Sequence, residues 1–116
     1  MSTTVQQIID DLDLEILTEQ PPASCTVTGG YVSDLLSDVM AHAKPGNLWV
    51  TMQIDQNIVA VAALKELAGI IIVQGREPDQ ATLDKARSEQ VCLLRTARDS
   101  FDIVGRMYAL GIRGHS

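Results

Sequence analysis

Leu48-Trp49-Val50-Thr51-Met52, then Ile58-Val59-Ala60-Val61-Ala62-Ala63-Leu64, then Gly69-Ile70-Ile71-Ile72-Val73: these three runs decide the fold of the 116-residue chain. The last is continuously apolar over the length of a strand, as a parallel strand covered on both faces must be, and it predicts the centre of a sheet. The middle run belongs to a helix predicted from Ile58 to Leu67, with Asn57 as its cap. That helix is apolar nearly all round and must be buried on more than one side. Strand, helix and strand in this order make a right-handed crossover unit.

Working outward, the same alternation continues. Upstream, Cys25-Thr26-Val27-Thr28 reads as a β-branched strand that stops in a turn at Gly29-Gly30. A helix follows on Val32, Leu35, Leu36, Val39 and Met40, capped by Ser33 or Asp34, and Lys44-Pro45-Gly46 ends it. Downstream, Gln74-Gly75-Arg76-Glu77 is a loop, with Pro78 at the first position of a polar surface helix running to Glu89. Val91-Cys92-Leu93-Leu94 is a further strand, and Thr96 with Asp99 caps a last helix containing Phe101, Val104, Met107 and Tyr108. Ahead of all this, Thr4 and Gln7 form a capping box before Val5, Ile8, Ile9 and Leu12. Leu14-Glu15-Ile16-Leu17 is a short edge strand, halted by Pro21-Pro22. The expected fold is α/β, three-layered, with a mostly parallel central sheet and helices on both faces. Residues 1–116 are expected to form a single domain with a frayed tail at 111–116.

Composition supports a folded globular chain: 46% of residues are hydrophobic and 21% charged. Aromatics are only 3%, too few for a base-stacking platform, and a formal charge of −6 leaves no excess of Lys and Arg to neutralise a phosphate backbone, so nucleic acid is not an expected partner. The longest apolar stretch, Ile58 to Leu64, is far short of the ~20 residues needed to span a membrane. No positive segment precedes an apolar one at Met1-Ser2-Thr3-Thr4, so the expectation is a cytoplasmic protein without a membrane partner. Cys25 and Cys92 are too far apart for a CxxC motif and read as small core residues within strands.

Thr26-Val27-Thr28-Gly29-Gly30 followed by Tyr31 to Met40 resembles the DRTGG family, with Thr26 and Val27 in place of the usual Asp and Arg. Trp49-Val50-Thr51-Met52-Gln53, Asn57 to Ala62 and Gly75-Arg76-Glu77-Pro78 follow in the order such domains show, so the resemblance covers nearly the whole chain. Related domains are similar to the N-terminal domain of HPr kinase/phosphorylase and occur beside catalytic domains in some phosphate acetyltransferases and regulatory pyrophosphatases. The resemblance implies a bacterial α/β module that is frequently dimeric and regulatory or ligand-sensing. It does not imply kinase activity, since no GxxxxGK[ST] loop is present.

Ligands of open parallel sheets bind outside the carboxyl ends of the strands. Thr51 with Gln53, Gly75 with Arg76, and Arg95 with Thr96 fall at those ends, where either arginine is suited to fork onto a phosphate or carboxylate. The competing reading pairs Arg95 with a surface carboxylate and leaves Thr96 as a cap. Thr28, Gly29 and Gly30 read either as an anion-receiving turn ahead of a helix or as a plain glycine turn. Asp34 and Asp38 are expected to cap or contact solvent. His42 and His115 have no partners at metal-ligand spacing, Ser33 and Ser37 lack an activating His, and Asp10, Asp11, Asp13, Asp79 and Asp84 read as solvated faces. No metal, cofactor or catalytic residue is expected. The reading is a non-catalytic, dimeric module that binds a small anion or nucleotide or docks on a separately encoded enzyme. Its alternatives are a phosphotransfer-related enzyme component using Thr51, Arg76 and Arg95, and a purely structural adaptor.

Overall fold

The computed structural model describes residues 3–114. In chain order the elements are β1 (Thr3–Thr4), α1 (Val5–Leu12), β2 (Glu15–Ile16), β3 (Thr26–Val27), β4 (Gly29–Val32), α2 (Leu36–His42), β5 (Asn47–Thr51), α3 (Asn57–Lys65), β6 (Gly69–Ile72), α4 (Gln80–Ser88), β7 (Leu93–Arg95) and α5 (Ser100–Ala109). Five strands form one sheet in the order β2-β7-β6-β5-β4, parallel except for the antiparallel edge strand β2, and β1 with β3 makes a separate antiparallel pair. The Gly69–Ile72 strand lies at the sheet centre, as its continuous apolar run requires.

The pleat explains that run, because successive side chains point to opposite faces. Leu48, Val50, Ile71, Val73 and Leu94 pack against α1 and α5, chiefly through Ile8, Leu12, Ile103 and Met107. Trp49, Ile70, Ile72 and Leu93 face the other way, toward Val39, Ile58, Val59, Ala62 and Ala86 of α2, α3 and α4. Both faces are covered, so the three-layer α/β arrangement is the one expected. The capping box forms: Thr4 Oγ1 accepts from the Gln7 N–H at 3.1 Å, and Gln7 Oε1 from the Thr4 N–H at 2.8 Å. Among the described residues no helix is long and apolar enough to cross a membrane.

Several local expectations are corrected. Gly29 and Gly30 are not a turn; they open β4, with Gly29 opposite Asn47 and Gly30 opposite Leu48. Backbone pairing along β5 outcompetes the turn that two glycines alone suggest. Val32 therefore belongs to a strand and α2 starts only at Leu36, with no side-chain cap at its Leu35 N-cap. Asn57 is not a cap either; α3 follows Gln56, and Asp55 accepts from the Asn57 N–H. Pro78 lies just outside α4, whose cap is Asp79, accepting from the Thr82 N–H at 2.9 Å. Asp99 alone caps α5. Residues 111–114 are docked rather than frayed: Ile112 is buried in the α1/α5 core, and the Gly30 N–H donates to the Arg113 carbonyl at 3.0 Å. His115 and Ser116 lie outside the described residues.

Candidate functional site

The polar residues at the carboxyl edge form two neighbouring groups. At the end of β5 the organiser is Asp34, whose Oδ1 accepts from both the Thr51 hydroxyl and the Met52 N–H at 2.8 Å. Thr51 is fully buried, and its Oγ1 in turn accepts from the Gln53 N–H at 3.2 Å. Gln53 Nε2 returns to the Asp34 carbonyl at 2.9 Å. The loop bearing Asp34 is anchored from below, since Trp49 Nε1 donates to the Ser33 carbonyl at 2.8 Å. This lattice rigidifies the strand end with every buried polar group paired.

Arg76 reaches the same place from the loop after β6. Gln74 and Gly75 both take positive φ, 64° each, and the Arg76 N–H closes back on the Val73 carbonyl at 3.4 Å. A left-handed glutamine is uncommon, and here its N–H is held by the Arg98 carbonyl at 2.8 Å while that of Gly75 donates to the Thr96 carbonyl at 2.9 Å. The turn aims Arg76 across the sheet edge, where Nη1 donates to the Met52 carbonyl at 2.7 Å. Among the described residues no carboxylate stands within ion-pair distance of Arg76.

Gly75, Arg95 and Thr96 line a second recess of about 420 Å³ with Asp13, Glu15 and Glu77. Here Arg95 is already committed: Nη2 meets Glu15 Oε1 at 2.6 Å and Nη1 meets Glu77 Oε1 at 2.8 Å. The Glu77 and Glu15 hydrogen bonds push its pKa above the ordinary arginine value. The fork expected to bind a ligand is used up by two carboxylates of the chain, as the competing reading has it. Thr96 is not the cap of the last helix; its Oγ1 accepts from the Arg98 N–H at 3.2 Å.

Thr28, Gly29 and Gly30 lie at the opposite, amino edge of β4 and do not join either group. They do not lead directly into α2, because Tyr31 and Val32 of β4 and then residues 33–35 intervene before its start at Leu36. Thr28 packs on the turn before β5: its hydroxyl donates to the Pro45 carbonyl at 2.8 Å and accepts from Asn47 Nδ2 at 3.1 Å. Gly30 clears the C-terminal segment, as a Cβ there would stand 3.2 Å from Ile112 and 3.3 Å from Met107. Of the two replaced motif positions, Thr26 is exposed and Val27 packs against the α1/α5 core. Asp38, expected as a cap or solvated, accepts from the Tyr31 hydroxyl at 2.8 Å and pairs with His42 Nδ1 at 3.0 Å. The Tyr31 hydrogen bond is the main cause holding its carboxyl below the ordinary range.

Nothing in the residue order announced a cavity of about 800 Å³ at the amino edge. It gathers Pro21, Pro22, Glu66, Arg87, Cys25 and Cys92 from segments far apart in sequence. Both cysteines are half-buried and lie just outside strands rather than within them. Burial, and then the neighbouring Cys25, pushes the Cys92 thiol up to about 12. Cys92 is therefore expected to alkylate with iodoacetamide at neutral pH at least ~10-fold more slowly than a free thiol, because the thiolate is the nucleophile. Mass spectrometry of the native protein checks this; equal rates would mean the thiol is open to solvent. Among the described residues no three His, Cys, Asp or Glu side chains are grouped to hold a metal ion.

No curated protein sequence matches the chain. Among solved structures it is similar to the CBS and DRTGG domains of the regulatory region of Clostridium perfringens pyrophosphatase, complexed with the activator diadenosine tetraphosphate. The TM-score is 0.75 at 17% identity, over 90% of this chain. The chain spans 46% of that one, and at this identity the likeness is one of fold. The sequence pattern of the DRTGG domain matches residues 7–110. Since that match runs from within α1 to just past α5, the chain belongs to the DRTGG domain family.

Proposed function

We propose that the chain is a non-catalytic regulatory module of the bacterial cytoplasm. It senses a small anionic ligand, a nucleotide or a phosphorylated small molecule, at the carboxyl edge of its sheet, and it acts as a homodimer that serves a separately encoded enzyme. The observation that carries this reading is Arg76. Arg95 is paired with two carboxylates of the chain, and Arg98 and Arg106 share that of Asp102. Arg76 is instead oriented by a neutral carbonyl at the end of β5, beside the loop of Asp34, and keeps its charge for an incoming anion. A guanidinium pre-set by one hydrogen bond loses less freedom on forking onto a phosphate. The resemblance to a regulatory region crystallised with a dinucleotide activator supports a nucleotide as ligand.

Calorimetric titration and thermal denaturation of the full chain with ATP, diadenosine tetraphosphate and inorganic phosphate test the proposal. A ligand at 100 times its Kd should stabilise the folded state by roughly 2.7 kcal/mol. Arg76→Ala should weaken that binding at least ~10-fold, the scale of one charge-assisted hydrogen bond. No binding at millimolar ligand, or an Arg76→Ala variant that binds as well as the parent, would overturn the reading. Turnover of a nucleotide or phosphometabolite by the purified chain would replace it with the phosphotransfer alternative.

A further inference from the structure

Arg95 holds two carboxylates of its own chain, and it holds them unequally. Glu15 is its partner across the antiparallel β2–β7 ladder, so strand register fixes that pair, and Glu15 Oε1 accepts from Nη2 at 2.6 Å and from Nε at 3.0 Å. Glu77 comes from the loop after β6 and meets Nη1 at 2.8 Å with its side chain 76% exposed. An ion pair with so exposed a partner is weak, because water screens it and the released side chain regains its rotamers. The base of the loop does not depend on it, since the Gln74 and Gly75 N–H groups donate to the Arg98 and Thr96 carbonyls. Glu77 is therefore free to leave Arg95 without unfolding the loop that carries Arg76.

The two arginines serve one edge of the sheet. Thr51, Ile72 and Arg95 are register neighbours in a row across β5, β6 and β7. Arg76 reaches the β5 end of that row, at the Met52 carbonyl, and Arg95 stands at the β7 end. At about 4.8 Å per strand the two ends are roughly 10 Å apart. The recess beside Arg95 sets the carboxylates of Asp13, Glu15 and Glu77 against the guanidinium groups of Arg95 and Arg98. That negative excess opposes an anion while Glu77 is in place and vanishes when Glu77 swings out.

We propose that Glu77 is a built-in counter-anion, and that a ligand carrying a chain of linked phosphates displaces it from Arg95, placing one phosphate at Arg76 and another at Arg95. The proposal rests on the Arg76 reading above; it names the class of ligand and the group that holds it off. A phosphate carries more charge than a carboxylate and offers three acceptor oxygens, and a guanidinium fork takes it bidentately. It replaces Glu77 at Nη1 while Glu15 keeps Nε and Nη2. A single phosphate cannot touch both ends of the row, whereas a tri- or tetraphosphate chain spans it. Arg95 is thus a second subsite of the same edge, closed in the ligand-free chain by a side chain of the loop that also presents Arg76.

Calorimetric titration of the full chain with inorganic tripolyphosphate and with inorganic phosphate, at low salt, tests this. Tripolyphosphate should bind at least ~10-fold more tightly than phosphate, the scale of one added charge-assisted hydrogen bond. Glu77→Gln, which keeps the shape of the side chain and removes its charge, should tighten tripolyphosphate binding about 5-fold, the scale of releasing one exposed ion pair. Its circular dichroism should match that of the parent, because Glu77 is exposed. Glu89→Gln, the same loss of charge at the amino edge, should leave binding unchanged. Adding Arg95→Gln to Glu77→Gln should abolish the gain, which traces it to Arg95 and not to the mean charge of the chain. A Glu77→Gln variant that binds tripolyphosphate no more tightly than the parent, or a gain that survives Arg95→Gln, overturns the proposal, and the Arg76 reading stands if Arg76→Ala still weakens binding. No binding of tripolyphosphate at millimolar concentration by either the parent or Glu77→Gln overturns both.

Discussion

Replacing Trp49 by alanine is expected to destabilise the protein by about 3–5 kcal/mol, the range for truncating a large buried aromatic. Trp49 is the largest fully buried side chain and sits in the middle of β5, facing α2 and α3. Its loss removes packing and the Nε1–H that holds the Ser33 carbonyl. Since a domain of this size has about 5–15 kcal/mol of total stability, the variant should unfold at much lower urea with an unchanged slope. Trp49→Phe separates the two contributions. It keeps most of the apolar volume but leaves the Ser33 carbonyl without its donor, at a cost of about 1–3 kcal/mol. Hydrogen exchange should then quicken at Met52, because Asp34, which holds the Met52 N–H, follows Ser33 directly. A Trp49→Phe variant with unchanged exchange at Met52 would show that the loop is held by Asp34 alone.

Gly46→Ala is expected to cost about 2–5 kcal/mol, combining left-handed backbone strain with overpacking. Gly46 has φ +83°, and a Cβ there would stand 2.6 Å from Thr28 Cγ2 and 2.8 Å from Thr28 Oγ1. The Thr28 N–H and hydroxyl both bond this turn, so the neighbour has little room to retreat. A double-mutant cycle isolates the contact. Adding Thr28→Ala to Gly46→Ala relieves the overlap but not the backbone strain, so the pair should be less destabilised than the sum of the single changes by about 0.5–3 kcal/mol. Strict additivity in chemical denaturation would mean that backbone strain alone accounts for the loss. A positive coupling would show that the threonine of the family motif clamps the turn that starts β5.

Much of the fold was legible because it rests on local pattern. The unbroken Gly69–Val73 run could only be a strand covered on both sides, and Thr4 with Gln7 could only stabilise a helix start at Val5. The errors fall where pairing partners distant in sequence decide. Gly29-Gly30 looks like a turn to any local rule, yet ladder bonds to Asn47 and Leu48 and the passage of Ile112 make it an edge strand. Ser33 and Asp34 look like caps, yet Asp34 gains more from the N–H and hydroxyl at the end of β5 than from a helix that begins at Leu36.

The same division runs through the candidate site. Residue order alone determined a βαβ-based α/β chain, its central strand, the family resemblance and a set of polar residues at the strand ends, because periodicity and strand direction are written along the chain. Only tertiary structure decided which of those residues are available. Arg95 is claimed by Glu15, 80 positions away, and by Glu77, while Arg76 is held by a carbonyl and keeps its charge. Thr28 and its glycines are carried to the far edge of the sheet, and Phe101 and Tyr108 are left outside a core that α5 fills from its other face. Charge neutralisation and burial depend on which groups folding brings within a few ångströms of each other, and sequence order does not encode those distances.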